Sequence, residues 1–202
     1  MDSKQIYDYI LKIQSIAKIG LVHSKDPYAI TNYKEINELS MKMLEEFLEV
    51  KFDRPNYFHR EIYPTPNISV RTVIFNKDKT KVLMVREAAQ QAYCLPGGWS
   101  DLYDSPATTA INECRQEAGA NIEIIRLVGV MNRTPFKSPV SVPEYVLVFE
   151  AKLIGEIGEH EYETDDVGFF DVNNLPNLCP KVTKGEIERM IFSAKDGYTI
   201  FD

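Results

Sequence analysis

Two carboxylates, Glu113 and Glu117, are the side chains whose types and spacing best suit chemistry in this chain. Residues four apart on a helix are neighbours on one face, where two like charges repel by about 0.2–0.5 kcal/mol. A divalent cation removes that repulsion, since Mg²⁺ prefers carboxylate oxygens and keeps several waters. A solvated helix face is the alternative interpretation, and the residues around the pair decide between the two.

Those surrounding residues are the ones that would position a loop and a helix. The sequence Leu95-Pro96-Gly97-Gly98-Trp99-Ser100-Asp101 predicts a tight turn that leads into a loop. Ser105 suits the N-cap of a helix, Pro106 its first position, and Gly119 the position just past its end. We therefore expect a helix over 106–118. Its apolar stripe is expected to contain Ala107, Ala110, Ile111, Cys114 and Ala118.

The segment 98–120 resembles the Nudix box, the loop and helix motif of the Nudix hydrolases. The box reads Gly, five residues, Glu, seven residues, Arg-Glu, an aliphatic residue, any residue, Glu-Glu, any residue, Gly. Both glycine positions and two of the four acidic positions match, namely Gly98, Gly119, Glu113 and Glu117. Three positions depart from the box: Asp104 replaces the first Glu, Asn112 the Arg and Gln116 one Glu.

The resemblance implies a site for Mg²⁺ or Mn²⁺ formed by Glu113, Gln116, Glu117 and the carbonyl oxygen of Gly98. Gln116 offers an oxygen without a charge, so we expect weaker metal binding or fewer bound ions. The Arg of the box holds a carboxylate in an ion pair, and Asn112 lacks the bidentate fork for that contact.

The catalytic residues that the resemblance implies are Glu117 and an additional acid. Nudix enzymes differ in the origin of their general base. Here Glu163-Thr164 resembles a Glu-Thr pair of a related subgroup and lies in an acidic run, so Glu163 is the candidate. A solvated loop is the alternative interpretation of that run.

Further motifs resemble the Nudix subgroup that acts on nucleoside diphosphates linked to X, such as ADP-ribose, CDP-choline or UDP-sugars. They are Tyr63-Pro64-Thr65-Pro66, Val70-Arg71, Leu83-Met84-Val85-Arg86-Glu87 and Leu95-Pro96-Gly97-Gly98-Trp99. The implied activity is metal-dependent cleavage of the pyrophosphate bond, giving a nucleoside monophosphate and X-phosphate. Arg71 and Arg86 are candidate phosphate clamps or else salt-bridge partners. Trp99 and Tyr63 are candidates to stack on a base or else to pack in the core.

The implied fold class is α+β, an α/β/α Nudix sandwich with an N-terminal helical hairpin. We expect a helical segment over 1–53, a linker over 54–66 and the Nudix domain over 67–202. Apolar residues at helical spacing predict helices over 3–18 and 27–49, the second capped by Asp26. Because two such helices cannot bury their apolar faces alone, they must dock on the main domain or on another chain, and we expect them to form a homodimer. Strands are predicted at 68–76, 81–86, 122–131, 144–153 and 166–171, and a last helix at 184–194.

Composition excludes several classes of function. A net charge of −7 opposes binding along a nucleic-acid backbone. The sequence lacks an apolar run of about 18 residues and a signal-peptide core, so we expect no membrane span and a cytoplasmic protein. The three cysteines form no CxxC pair, and we expect neither a disulfide framework nor a zinc site from them.

Competing functions remain at this stage. Asn112 and Gln116 favour a Nudix-fold nucleotide-binding protein with impaired catalysis over a fully active hydrolase. A Nudix-type transcriptional regulator would need a basic appendage, whereas residues 1–53 contain nine acidic and seven basic residues. A serine-hydrolase interpretation of Gly98-Trp99-Ser100 fails because the closing Gly of a nucleophile elbow is missing.

Overall fold

Four helices and six strands make up the described parts of this computed structural model, which are residues 3–48, 66–133 and 144–202. The helices are α1 (Ser3–His23), α2 (Pro27–Leu48), α3 (Pro106–Ala118) and α4 (Lys184–Asp196). The strands are β1 (Asn67–Ile74), β2 (Lys81–Glu87), β3 (Ala92–Cys94), β4 (Ile122–Asn132), β5 (Glu144–Leu153) and β6 (Thr164–Asp171). The chain divides into two compact units, Met1–Pro64 and Thr65–Asp202. The expected linker at 54–66 lies almost wholly outside the described residues.

The first unit contains a hairpin of α1 and α2. Asp26 caps α2, as predicted, because its Oδ1 accepts the Tyr28 N–H at 3.0 Å. Helix α1 runs five residues past the predicted end at 18. Gly20 lies within that extension, where a Cβ would come within 2.4 Å of the Tyr33 ring, so the glycine allows the two helices to approach closely.

The second unit contains two three-stranded sheets, ordered β1-β5-β4 and β3-β2-β6. Strand β1 pairs in parallel with β5, and the other pairs are antiparallel. Adjacent residues of β1 enter different cores, since side chains of a strand alternate between its faces. Val73 packs in the cluster that contains α4, and Ile74 in the cluster that contains α3. The helices therefore cover opposite faces of the β-structure, which confirms the α+β sandwich.

The strand predictions are confirmed with small shifts at their ends, and β5 matches its predicted range at both ends. Strand β3 was missed because three residues are too few to show a period of two. The expectation that the cysteines form no disulfide is wrong for two of them: Cys94 and Cys179 are bonded across a sequence separation of 85 residues. Cys114 is free and buried. In the described part of the chain, no helix is long and apolar enough to cross a membrane.

Candidate active site

Helix α3 carries the two glutamates and is capped at both ends. The Ser105 side chain accepts the Thr108 N–H at 3.1 Å, and Gly119 ends the helix in the left-handed conformation at φ 60°. Both caps were predicted from the sequence. The buried face consists of Thr109, Ala110, Cys114 and Ala118. Ile111, which was expected in the apolar stripe, is 42% exposed.

The loop after β3 runs alongside β1 and is held there by backbone hydrogen bonds. The Thr72 N–H donates to the Pro96 carbonyl and the Val70 N–H to the Gly98 carbonyl, both at 2.9 Å. Gly97 has a φ of +144°, and a Cβ there would come within 2.1 Å of the Val70 carbonyl oxygen. Only glycine fits this close approach of loop to strand.

The loop and α3 meet at the two carboxylates. The Gly97 N–H donates to Oε2 of Glu117 at 2.8 Å. A Cβ at Gly98 would lie 2.5 Å from Oε1 of Glu113, so the missing side chain of Gly98 leaves room for this carboxylate. The structure therefore brings together Gly98, Glu113 and Glu117.

The electrostatic environment of these glutamates is strongly acidic. Burial, followed by the charge of Glu117, raises the pKa of Glu113 to about 7, and the charges of Glu163 and Asp101 act in the same direction. Burial also raises the pKa of Glu117, opposed by the charge of Arg71 and the Gly97 N–H. Arg71 opposes the rise in pKa at both glutamates but does not cancel it, so the pair forms a cluster that a divalent cation would neutralise.

The residues at hand fit a Mg²⁺-type ion that keeps water in its coordination shell. In residues 3–48, 66–133 and 144–202, one group of three His, Cys, Asp or Glu side chains places its ligand atoms within 4.8 Å of one another. That group does not contain Glu113 or Glu117. An ion at Glu113 and Glu117 would thus need backbone oxygens, waters or substrate phosphates as further ligands, which Mg²⁺ accepts readily. The Gly98 carbonyl already accepts one hydrogen bond, and its second lone pair could serve a metal.

Two contacts involve the three positions that depart from the box. Asn112 Nδ2 lies 3.5 Å from Oδ2 of Asp104, a long contact in place of an ion pair. The backbone carbonyl of Gln116 accepts the Glu161 N–H at 2.7 Å, which docks the segment before β6 on the end of α3. Arg115 is exposed.

Glu163 lies close enough for its charge to affect Glu113, although its own side chain is exposed. The neighbouring Thr164 fixes this segment, since its hydroxyl donates to the Glu117 carbonyl at 2.6 Å. Two contacts to the end of α3 therefore hold Glu163 near the glutamate pair.

The two arginines predicted to clamp phosphate have protein partners. Arg71 is 9% exposed, and its Nη1 donates to the carbonyl oxygens of Leu95, at 3.1 Å, and Gly97. These contacts favour a role in holding the loop. Arg86 donates from Nε to Oδ1 of Asp165 at 2.7 Å, in a half-buried ion pair. Both were predicted alternatively as ordinary ion-pair partners, and Arg86 matches that alternative.

The aromatic candidates differ in what the structure shows of them. Trp99 is half-buried, and its backbone forms a bridge with Ser69 of β1. Tyr63 lies outside the described residues, so its proposed contact with a base stays a prediction.

Sequence reasoning missed one pair of residues near the cluster. Glu87 ends β2 and forms an ion pair with Lys181, Nζ to Oε2 at 2.9 Å. Both charges act on Glu117, Glu87 raising its pKa and Lys181 lowering it. Nothing local in the sequence joins positions so far apart, and the only signal was that Glu87 falls in a motif quoted for the family resemblance.

Comparisons with known proteins agree with this architecture. Residues 4–54 match the family described as Nudix_N, UDP-X-like, N-terminal oligomerisation domain, and residues 65–190 match the NUDIX domain. The chain is 32% identical over 197 residues to the Bacillus subtilis (strain 168) protein named "Putative ADP-ribose pyrophosphatase YjhB", covering 95% of this chain and 94% of that one.

Two solved structures resemble the chain. A crystal structure of UDP-X diphosphatase is 26% identical, with a TM-score of 0.61, over 98% of this chain and 97% of that one. An ADP-ribose pyrophosphatase from Streptococcus suis 89-1591 is 27% identical, with a TM-score of 0.58, over 67% of this chain and 97% of that one. Taken with the box-like loop and helix that hold Glu113 and Glu117, these matches show that the chain belongs to the Nudix hydrolase family.

Proposed function

We propose that this protein hydrolyses the pyrophosphate bond of a nucleoside diphosphate linked to X, giving a nucleoside monophosphate and X-phosphate. The observation that carries the proposal is the acidic cluster of Glu113 and Glu117 against the Gly97-Gly98 turn. The names of the similar proteins, a UDP-X diphosphatase and two ADP-ribose pyrophosphatases, support this class of substrate.

The proposed division of labour follows from the contacts. Mg²⁺ or Mn²⁺ would supply charge neutralisation for the phosphates and lower the pKa of a bound water. Glu113 and Glu117 would hold it, with the Gly98 carbonyl as a further oxygen. Arg71 would position the loop by its two carbonyl contacts, and Glu163 is the candidate to accept a proton from the attacking water. The water oxygen bonds to one phosphorus atom as the bridging oxygen leaves with the other phosphate.

The full-length protein is the material for the test. Purified protein is incubated with UDP-glucose, CDP-choline and ADP-ribose, each with Mg²⁺, Mn²⁺ or a chelator, and the monophosphate product is quantified by chromatography. We expect metal-dependent turnover of at least one compound and a loss of more than about tenfold in Glu117→Gln. Glu123→Gln is the matched control, since Glu123 is an exposed glutamate of β4 paired with Lys152.

The second candidate is a nucleotide-binding protein with impaired catalysis, and the long contact of Asn112 with Asp104 favours it. Without an ion pair to fix its position, the Asp104 carboxylate would be poorly placed to take part in catalysis. Thermal-shift measurements on the same compounds distinguish the two functions. Stabilisation by a compound that is never cleaved would support the binding protein and contradict the hydrolase.

We also propose that the protein is a homodimer assembled through α1 and α2. Within this chain the hairpin buries Ile10, Ala17 and Leu44 and leaves Ile16, Leu39 and Met43 at least half exposed. The matched family over residues 4–54 is described as an oligomerisation domain, which supports a second copy as the occupant of this face. We further propose that the protein acts in the cytoplasm.

A further inference from the structure

The Cys94–Cys179 disulfide joins two segments that are 85 residues apart in the sequence. Cys94 ends β3, and Cys179 lies in the connection between β6 and α4. Their side chains are 1% and 0% exposed. Backbone hydrogen bonds accompany the disulfide, since the Tyr93 N–H donates to Asn177 at 2.8 Å and Tyr93 accepts from the Cys179 N–H at 3.0 Å. The connection is thereby held against β3.

One side of the disulfide leads directly to the candidate metal site. Cys94 precedes the Leu95-Pro96-Gly97-Gly98 sequence, so only two residues separate it from the Gly97 N–H that donates to Glu117. A covalent restraint at Cys94 limits the positions that this short loop can adopt. Greater conformational freedom at Cys94 would therefore change the position of the Gly97 backbone.

The other side of the disulfide leads to an ion pair. Lys181 follows Cys179 by two residues and pairs with Glu87, Nζ to Oε2 at 2.9 Å. Oε1 of Glu87 lies 3.8 Å from the Cys94 sulfur, which places this ion pair beside the disulfide. The Cys94 half of the disulfide therefore lies on the loop that contacts Glu117, and the Cys179 half lies beside the Glu87–Lys181 ion pair.

We propose that Cys94–Cys179 is a positioning disulfide that makes metal binding at Glu113 and Glu117 depend on redox state. The disulfide adds a covalent restraint to the backbone and Arg71 contacts that hold the Gly97-Gly98 turn, and loss of that restraint in the reduced form weakens metal binding. The inference rests on the proposed metal site but not on turnover.

The chemistry is a thiol–disulfide exchange with a low-molecular-weight disulfide such as oxidised glutathione. One protein thiolate attacks the small disulfide and releases a thiolate, and the second protein thiolate then displaces the other half. The S–S bond of the small disulfide breaks as the S–S bond between the cysteines forms, and two small thiols leave. Since both sulfurs are buried, the connection around Cys179 must open transiently for exchange to occur.

A metal centre is the competing use of these side chains. Glu87, Cys94 and Cys179 place ligand atoms within 4.8 Å of one another, and two thiolates with a carboxylate suit zinc. The disulfide is favoured because the two sulfurs are bonded to each other, and a disulfide offers no thiolate ligand. Zinc bound by the purified protein at one equivalent, and lost in Cys179→Ser but kept in Glu117→Gln, would overturn the proposal.

The test compares full-length protein treated with oxidised glutathione and with a phosphine reductant. Counting thiols by alkylation and mass spectrometry should give one in the oxidised form and three in the reduced form. Mn²⁺ titration followed by electron paramagnetic resonance should show affinity lower by about tenfold after reduction, the lower end of the effect of outer-shell changes. Amide hydrogen exchange at residues 95–98 should be faster in the reduced form.

Two variants serve as controls. Cys179→Ser should bind Mn²⁺ as the reduced protein does under both treatments, whereas Cys114→Ala, which removes the free cysteine, should keep the difference between treatments. Equal Mn²⁺ affinity in both redox forms, or equal exchange at residues 95–98, would overturn the proposal. A redox-dependent affinity without turnover of any nucleotide would support it and contradict only the proposed hydrolysis.

Discussion

At Gly98 the absence of a side chain decides where a carboxylate can lie. Oε1 of Glu113 occupies the space that a Cβ would take, at a distance of 2.5 Å. The clash would be with the far end of a flexible side chain, so Gly98→Ala can be accommodated by rotation of Glu113 rather than by unfolding. The substitution thus separates the position of Glu113 from the stability of the fold.

We predict that Gly98→Ala lowers turnover by about 10²-fold, because a ligand moved by about 1 Å has that cost, while its melting temperature stays near that of the wild type. Initial rates and differential scanning calorimetry measure the two quantities. Gly185→Ala is the matched control, since a Cβ there meets nothing within 4 Å. It should keep full activity and gain up to about 1 kcal/mol of stability from better helix propensity. Wild-type turnover in Gly98→Ala would contradict this role of Gly98.

Gln116 is the uncharged member of the box, and its replacement tests whether the position faces a metal. We predict that Gln116→Glu raises Mn²⁺ affinity several-fold, because ligand charge strengthens the binding of hard cations. Arg115→Gln makes the same change in net charge at the adjacent exposed position and adds no ligand. Titrations that give the two variants equal affinities would mean that Gln116 points away from the ion.

At the scale of elements, a buried ion cluster joins β4, β5 and α4. Arg133 follows β4 and contacts Glu144 at 3.1 Å and Glu186 at 2.6 Å. None of the three side chains is more than 6% exposed. Glu186 also completes a capping box with Thr183 at the start of α4, so one carboxylate orients the helix and receives the arginine.

We predict that Arg133→Met destabilises the protein by about 3–5 kcal/mol, because it leaves two buried carboxylates without a cation. Arg133→Lys should lose less, since it keeps the charge but cannot form both contacts with a planar fork. Guanidinium denaturation measures both free energies of unfolding. Lys184→Met, which removes an exposed pair with Glu188, is the control and should leave the unfolding free energy nearly unchanged. Equal stability of Arg133→Met and the control would refute the role of the cluster.

Local signals explain which elements could be predicted. The caps of α3 and the apolar spacing of the hairpin lie within a few residues of each other, so the sequence predicts them directly. Strand β3 depends on its partners β2 and Asn177–Cys179 rather than on its own pattern. The disulfide and the Glu87–Lys181 pair join positions brought together only by the tertiary fold. The box is a local motif, so it predicted the pairing of Glu113 with Glu117. It could not predict the tertiary contacts of Arg71 with the loop carbonyls.

For the whole molecule, the question is what covers the apolar face of the hairpin. Ile13, Ile36 and Leu39 line a groove between α1 and α2 and are 46%, 38% and 53% exposed. Gln14 is fully buried in the hairpin, and neither polar atom of its side chain has a hydrogen-bond partner. Exposed apolar side chains in one groove are typical of an association surface.

We predict that Leu39→Asp converts the full-length protein from a dimer to a monomer at micromolar concentration, as measured by light scattering. Burial of each large side chain contributes about 1.5–3 kcal/mol before ordering costs, so a charge at Leu39 in the groove should outweigh the remaining contacts. Glu38→Lys is the matched control, because it changes charge at the adjacent exposed position of α2 outside the groove. A monomeric wild type would contradict the proposed assembly. A dimer that persists in Leu39→Asp would place the interface on another surface and leave the apolar groove to a different ligand.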